Sequence, residues 1–388
     1  MSMPDPEPLV VYGPANREYD FGPGHPFTPR RFGPGIDLLR ELGASGFVPP
    51  APVSDDVLAT VHTRPFLASI ERLSDFPELV DEEAVTDNDT PPFYGMHHAA
   101  STVVGGTLHA MEEILAGRRR HAFHPGGGLH HAFPARASGF CVFNDVAVAI
   151  RRARDEGHRV LYVDLDVHHG DGVEAVFWDD PEVQTVSFHE TGLSLFPGTG
   201  WVEDRGGAGA EGSAINIPLE PGTSDGSWVE VVETVVPLVA AAFRPTLLVT
   251  LNGADGHALD PLSNLQITTV AMRRAARLLD DTAHAYAGGR WLATGGGGYD
   301  VYGVVPRNWG LVWLAQAHRD VPEATPAAWR ERWAADAEKY HQAPMPELMV
   351  DPAGTAATES SAIASANRAT ASRALEHTLR VREGRALA

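Results

Sequence analysis

Val160-Leu161-Tyr162-Val163-Asp164-Leu165-Asp166-Val167-His168-His169-Gly170-Asp171-Gly172 is the stretch that decides the fold. Its first four residues are apolar and rich in β-branched side chains, the pattern of an interior strand in a parallel sheet covered on both faces. Three acids and two imidazoles follow at once. Unpaired carboxylates at the end of a buried strand would each cost on the order of several kcal/mol, so a metal ion or a reaction centre is expected there. Side chains alternate along a strand, so an extended chain turns Asp164, Asp166 and His168 to one face and Val163, Leu165 and Val167 to the other.

Short apolar runs recur at 9–12, 183–188, 247–251 and 291–293, each ending in or near Gly, His, Asp or Asn. Segments 36–42, 99–115, 146–156, 228–243 and 269–287 carry apolar residues at spacings of three and four, which predicts helices. Strands alternating with helices imply an α/β domain, a mainly parallel sheet with helices on both faces, with ligands bound at the carboxyl ends of the strands. Three further clusters should meet the Asp-His run there. They are Pro125 to Phe133 with His130-His131 in a glycine turn, Leu251 to Asp255, and Thr294 to Tyr299, where a glycine loop delivers a phenol. The loop 206–212 is too short to separate domains, so 9–343 reads as one catalytic domain. The remainder, 344–388, is rich in Ala, Ser, Thr and Arg; a helix is predicted at 360–382, packed on the domain or in an oligomer contact.

The 388 residues carry 30 basic and 51 acidic side chains, a net charge of −21, which disfavours nucleic acid and anionic membranes as partners and suits cationic substrates or simply an acidic surface. Cys141 is the sole cysteine, so a metal site must draw on His and carboxylate, and a reducing, cytoplasmic setting is expected. The first residues lack a secretory pattern, and no run of about 18 consecutive apolar residues is found. Asn88-Asp89-Thr90 is taken as a chance sequon, and His62, His97-His98, His121 and His124 are given no ligand role.

His130-His131, Gly139-Phe140-Cys141-Val142-Phe143-Asn144-Asp145, the block 164–172, Phe196-Pro197-Gly198-Thr199-Gly200, Ala254-Asp255 with Asp260-Pro261, and 295–299 together resemble zinc-dependent histone deacetylases, in order and spacing over 12–314. Asp89 to His97 and Trp329-Arg330-Glu331-Arg332-Trp333 look like the bacterial acetoin-utilisation branch of that superfamily. The resemblance implies the arginase-deacetylase fold and a single catalytic Zn²⁺ on Asp166, His168 and Asp255, a ligand set that Fe²⁺ also fits. It implies that His130 and His131 handle protons, oriented by Asp164 and Asp171, and that Tyr299 donates to the developing oxyanion. It further implies a tunnel walled by Phe140 and Phe196, with Leu262 at its mouth, Gly139 and Gly297 beside the substrate, Asp89 at the rim and Arg31 in an inner cavity that releases acetate. A structural K⁺ would rest on carbonyls of Asp164, Asp166, His168 and Phe188 with the Ser187 hydroxyl.

The expected activity is removal of acetyl groups from lysine side chains of proteins or peptides. The rival is deacetylation of small amines such as acetylpolyamines. A binuclear Mn²⁺ ureohydrolase is disfavoured because His169-Gly170 intervene before Asp171, and an inactive acetyl-reader because His131 and Tyr299 are present. Two departures from the family pattern stand out: Asn252-Gly253-Ala254-Asp255-Gly256-His257, and Tyr94 with His98 near the rim.

Overall fold

Apolar runs that no helix period can satisfy pair edge to edge into one sheet. The computed structural model describes residues 7–386. Within them seven strands, β1 (Leu9–Val10), β2 (His121–His124), β3 (Val160–Asp164), β4 (Val183–Glu190), β5 (Ala214–Leu219), β6 (Leu247–Leu251) and β7 (Trp291–Thr294), lie in the order β1-β2-β7-β6-β3-β4-β5. Every pairing is parallel. The mainly parallel sheet expected from the sequence is thus wholly parallel.

Strand alternation divides the core into two layers. Leu161 and Val163 of β3 face the helices Phe32–Glu41, Asp225–Phe243, Thr269–Tyr286 and Val304–Gln316, whereas Val160 and Tyr162 face Arg64–Asp75, Met96–Leu115 and Asp145–Asp155. The register then fixes where chemistry sits. Asp164 pairs with Leu251 and Ser187, and Thr294 pairs with both Leu251 and His124, so these strands end level with one another. The loops leaving them hold all four polar clusters on one rim.

Two strands escape sequence patterning for different reasons. β2 reads His-Ala-Phe-His, too polar at its ends to register as an apolar run. β5 carries Asn216 and Pro218, tolerated because it is the edge strand, where a missing backbone donor leaves no ladder bond unmade. The helix Val304–Gln316 is buried along its whole length and so lacks the polar face that periodicity detects. The helix Asp225–Phe243, with mean hydropathy 1.4, is long and apolar enough by composition to cross a membrane, which the search for unbroken apolar runs passed over. Its Val231, Val232, Val235, Val236 and Val239 are buried in the protein core.

Beyond 343 the chain returns to the body. The helix Ser361–Ala386 lies against β5 and the helix Asp225–Phe243. Asn367, fully buried, donates to Thr223 Oγ1 at 2.7 Å and Ser227 Oγ at 2.8 Å and accepts from the Glu220 amide at 3.1 Å. Losing that side chain removes three hydrogen bonds, two of them to buried hydroxyls. Asn367→Ala is expected to destabilise the fold by about 1–3 kcal/mol, measured as a lowered midpoint in equilibrium chemical denaturation, with no change of secondary structure.

Candidate metal and active site

β3 ends at Asp164, two residues before the first ligand Asp166, so the extended face pictured from the sequence stops short. Asp166 and His168 lie in the turn that follows, and Asp164 faces elsewhere. Its carboxylate accepts from the Tyr162 hydroxyl at 2.7 Å and the Asp166 amide at 3.1 Å, and Oδ2 lies 2.8 Å from His130 Nδ1. The turn nevertheless brings the right atoms together. His168 Nδ1 lies 3.0 Å from Asp166 Oδ1 and 3.1 Å from Asp255 Oδ2. Ligand atoms of all three residues fall within 4.8 Å of one another, and all three residues are buried.

Backbone amides hold the remaining carboxylate oxygens. Val167 donates to Asp255 Oδ1 at 3.0 Å and Gly297 to Asp166 Oδ2 at 2.7 Å. Gly297 also has a steric duty, since any Cβ there would collide with the Asp255 carboxylate. Burial and the neighbouring Asp166 push Asp255 up from the usual carboxylate range, and burial with Asp255 pushes Asp260 up as well. Burial thus makes the charged form of both acids costly without a cation beside them. Two carboxylates and an imidazole nitrogen converging in such a place fit a divalent cation of the Zn²⁺ or Fe²⁺ kind.

His130 and His131 flank this centre with parallel wiring. His131 Nδ1 lies 2.7 Å from Asp171 Oδ1, as His130 Nδ1 does from Asp164, leaving each Nε2 on the cavity side. Burial draws both rings toward neutrality. At His130 it is outweighed by Asp164 and Asp166, which raise the pKa; at His131 it dominates, and the charge on His130 lowers the pKa further. The two imidazoles thus differ in proton affinity, His130 being raised and His131 lowered.

The turn that places them is pinned from beneath. Asp145 accepts from the amides of Gly128 and Leu129 and the Thr107 hydroxyl, and Asn144 donates to the carbonyls of His130 and Ala132. His62 and His124 join the same scaffold. His62 Nε2 accepts from the Asn144 amide at 3.0 Å, and His124 Nε2 lies 3.1 Å from Asn16 Nδ2. Both rings are kept neutral by burial, His62 down to about 4 and His124 to about 3.

A cleft of about 350 Å³ leads to the centre, lined by Phe140, Phe196, Leu262, Gly139, Asp89 and, at its floor, His131, His168 and Tyr299. Phe140 occupies left-handed backbone at φ 69°, unusual for a bulky residue. Its loop is clamped by Tyr19, whose hydroxyl donates to the Phe140 carbonyl at 2.7 Å and accepts from the Val142 amide at 3.0 Å. A Cβ at Gly139 would lie 2.6 Å from His131 and 2.9 Å from Phe196, so glycine is required where wall meets base. The Tyr299 amide donates to Asp260 at 2.7 Å, and burial keeps its phenol protonated far above neutrality. Arg31 lies behind the centre, fully buried, donating to the Gly296 carbonyl at 2.7 Å. Burial lowers it to about 10 against the pull of Tyr299, Asp166 and Asp255.

Several positioning residues left no mark in the sequence. His25 lines the cleft, its ring 4.6 Å from that of Phe140 and Nε2 3.1 Å from the Asp89 carbonyl. Glu190 accepts from Ser194 and Asn264, tying the loop of Phe196 to that of Leu262. His169 Nδ1 meets Thr199 Oγ1 at 2.9 Å. Ser187 sits opposite Asp164 in the β3–β4 register, with Phe188 next on β4.

A histone deacetylase domain matches residues 25–315. The chain belongs to the histone deacetylase family. It is 41% identical over 353 residues to the acetoin utilization protein AcuC of Bacillus subtilis, covering 89% of this chain and 90% of that one. It is 36% identical over 332 residues to AcuC of Staphylococcus xylosus, covering 83% and 86%. A crystallised histone deacetylase homologue complexed with SAHA superposes with a TM-score of 0.83 at 27% identity, covering 95% of this chain and all of the other. The homologue from Aquifex aeolicus gives 0.81 at 26%. This protein is accordingly a deacetylase-type hydrolase built like those structures.

One departure of this deacetylase from its family pattern has a structural partner. His257, two residues after Asp255, lies 2.9 Å from Asp351 Oδ2, and Arg307 donates to Asp351 Oδ1 at 2.7 Å. Burial works against the Asp351 charge, but His257, Arg307 and Thr269 hold its carboxyl well below the usual range. A depressed carboxylate stabilises the fold above its unfolded value and loses that contribution as pH falls through its folded one. Asp351→Asn should therefore lower the thermal midpoint at neutral pH, and the gap to the unsubstituted protein should close progressively below about pH 4, as followed by calorimetry across pH.

Proposed function

We propose that the protein is a zinc-dependent lysine deacetylase, removing acetyl groups from lysine side chains of proteins or peptides and releasing acetate. The observation that carries this reading is the narrow cleft between Phe140 and Phe196, which ends on His168, His131 and Tyr299. Aromatic walls suit a long aliphatic stem, and the floor suits an amide. A divalent ion on Asp166, His168 and Asp255 supplies Lewis acidity, polarising an acyl carbonyl and acidifying water. His131, neutral, would take a proton from the attacking water through Nε2. His130, protonated, hands one to the departing amine. Tyr299 donates its phenolic hydrogen to the carbonyl oxygen as charge develops there. Asp89, exposed at the rim, holds the substrate backbone, and Arg31 faces the departing carboxylate.

A K⁺ ion on the carbonyls of Asp164, Asp166, His168 and Phe188 with Ser187 Oγ belongs to the same proposal, supported by the pairing of Asp164 with Ser187. So does a cytosolic location, supported by the single, buried Cys141. The net charge of −21 keeps acetylated polyamines as the second substrate class.

The test is a panel of acetyl-lysine peptides and acetylpolyamines, assayed with metal-quantified protein. Higher kcat/KM on the peptides is expected, and better turnover of the polyamines would overturn the assignment. Tyr299→Phe should lower kcat about 10²–10³-fold with little change in KM; full activity in that variant would remove the phenol from the chemistry.

A further inference from the structure

Away from the rim at the carboxyl ends of the strands, a group of three histidines is left unexplained. His121 opens β2, at the end of the sheet opposite the catalytic rim. Its side chain meets Asp280 and His284, one turn apart near the end of the helix Thr269–Tyr286, and His318, just past the helix Val304–Gln316. The three rings surround one another at centroid separations of 5.1, 5.2 and 5.4 Å. Asp280 Oδ1 sits among them, 3.2 Å from His318 Nε2, 3.5 Å from His284 Nε2 and 3.6 Å from His121 Nε2. One potential ligand atom from each of the four residues lies within 4.8 Å of the others.

Three details point to a missing partner. His121 Nδ1 lies 2.7 Å from the Gln316 carbonyl, which fixes the hydrogen on Nδ1 and leaves the Nε2 lone pair facing the cluster. That Nε2 is buried without a hydrogen-bond partner, on a side chain only 2% exposed. His318 occupies left-handed backbone at φ 53°, the position after a helix where glycine is favoured, and so aims an imidazole where most chains place no side chain. The carbonyl ends of two helices also converge here, a field that favours a cation.

We propose that His121, Asp280, His284 and His318 form a second metal site, taking a first-row divalent ion of the Zn²⁺ class. Three imidazoles and one carboxylate complete a tetrahedron without thiolate, and four protein ligands leave no open coordination position, so the role is structural rather than catalytic. His121 and Asp280 form the buried floor, while His284 and His318 stand at the surface and give the ion a way in. Burial lowers the His121 pKa, keeping that ring neutral as ligation requires. The bound ion staples the start of β2 to the ends of both helices. One of these helices also carries Asn308, which donates to the Asn252 carbonyl at 2.8 Å beside the Asp255 loop.

Zinc content is to be measured by plasma mass spectrometry after equilibration with Zn²⁺ and gel filtration, in the unsubstituted chain, in His284→Ala/His318→Ala and in Asp255→Asn. The expected contents are about two, one and one ions per chain, as two independent tetrahedral-type sites require. The double histidine variant should keep its deacetylase activity and lose the rise in thermal midpoint that Zn²⁺ gives the Asp255→Asn protein. Co²⁺ loaded into Asp255→Asn should show tetrahedral d–d absorption that vanishes when the two histidines are also replaced. Equal zinc content in the unsubstituted chain and the double variant, with no Co²⁺ band in Asp255→Asn, would overturn the proposal.

Discussion

Two carboxylates held against one imidazole in a dry turn are the constraint on which this structure depends. Asp166 and Asp255 would repel one another at a cost on the order of several kcal/mol if left without a counter-charge. The surrounding chain is arranged to make that placement tolerable. Amides of Val167, His168 and Gly297 donate to the carboxylate oxygens. The buried Arg31 guanidinium lies close enough to interact with both acids. Amides, Arg31 and the raised imidazoles of His130 and His168 lessen the repulsion in the absence of an ion, and a divalent cation on the same oxygens would take over that task.

The parallel sheet makes such a site inexpensive to assemble. Because β2, β3, β6 and β7 end level, four loops from distant parts of the chain leave the same rim in the same direction. Each loop then needs only a local anchor. Asn144 and Asp145 anchor the histidine pair, Asp260 the tyrosine, Glu190 the loops of Phe196 and Leu262, and Asp351 the segment after Asp255. Precision at the centre is thus built from side-chain hydrogen bonds that tie each loop to another segment of the chain. A regular strand would have spent its amides on neighbours rather than on carboxylates.

This division explains what could be read in advance. β3 and β6 were legible because interior parallel strands must be apolar on both faces, and the clusters after them because charges rarely follow such strands without cause. That Asp166, His168 and Asp255 converge beside the histidine pair was legible from pattern; the direction of Asp164 was not, since β3 ends at Asp164 and the chain turns there. Edge strand β5 tolerates Pro218, and the helix Val304–Gln316 is apolar on every side, so neither carries the periodicity that betrays an element. Glu190, His25 and Tyr19 act largely through contacts with residues remote in sequence, which no local pattern encodes. His121 was passed over for the same reason, its three neighbours lying 159, 163 and 197 positions onward.

The two ends of the sheet pose the same physical problem and meet it differently. At the carboxyl rim, acids outnumber cations, and the three converging ligand atoms face a cleft that admits a substrate. At the amino end, histidines outnumber acids, and four groups close on one another with two of them at the surface. An acid-rich, three-ligand centre keeps a coordination position open and strengthens an ion's hold through charge. A histidine-rich, four-ligand centre carries less charge, closes its coordination shell and exchanges that openness for rigidity. The helix Val304–Gln316 spans the distance between them, with Asn308 holding the carbonyl of Asn252 beside the catalytic loop and Gln316 accepting from His121 at the far end. One helix, buried along its length, thus contacts both ends of the sheet.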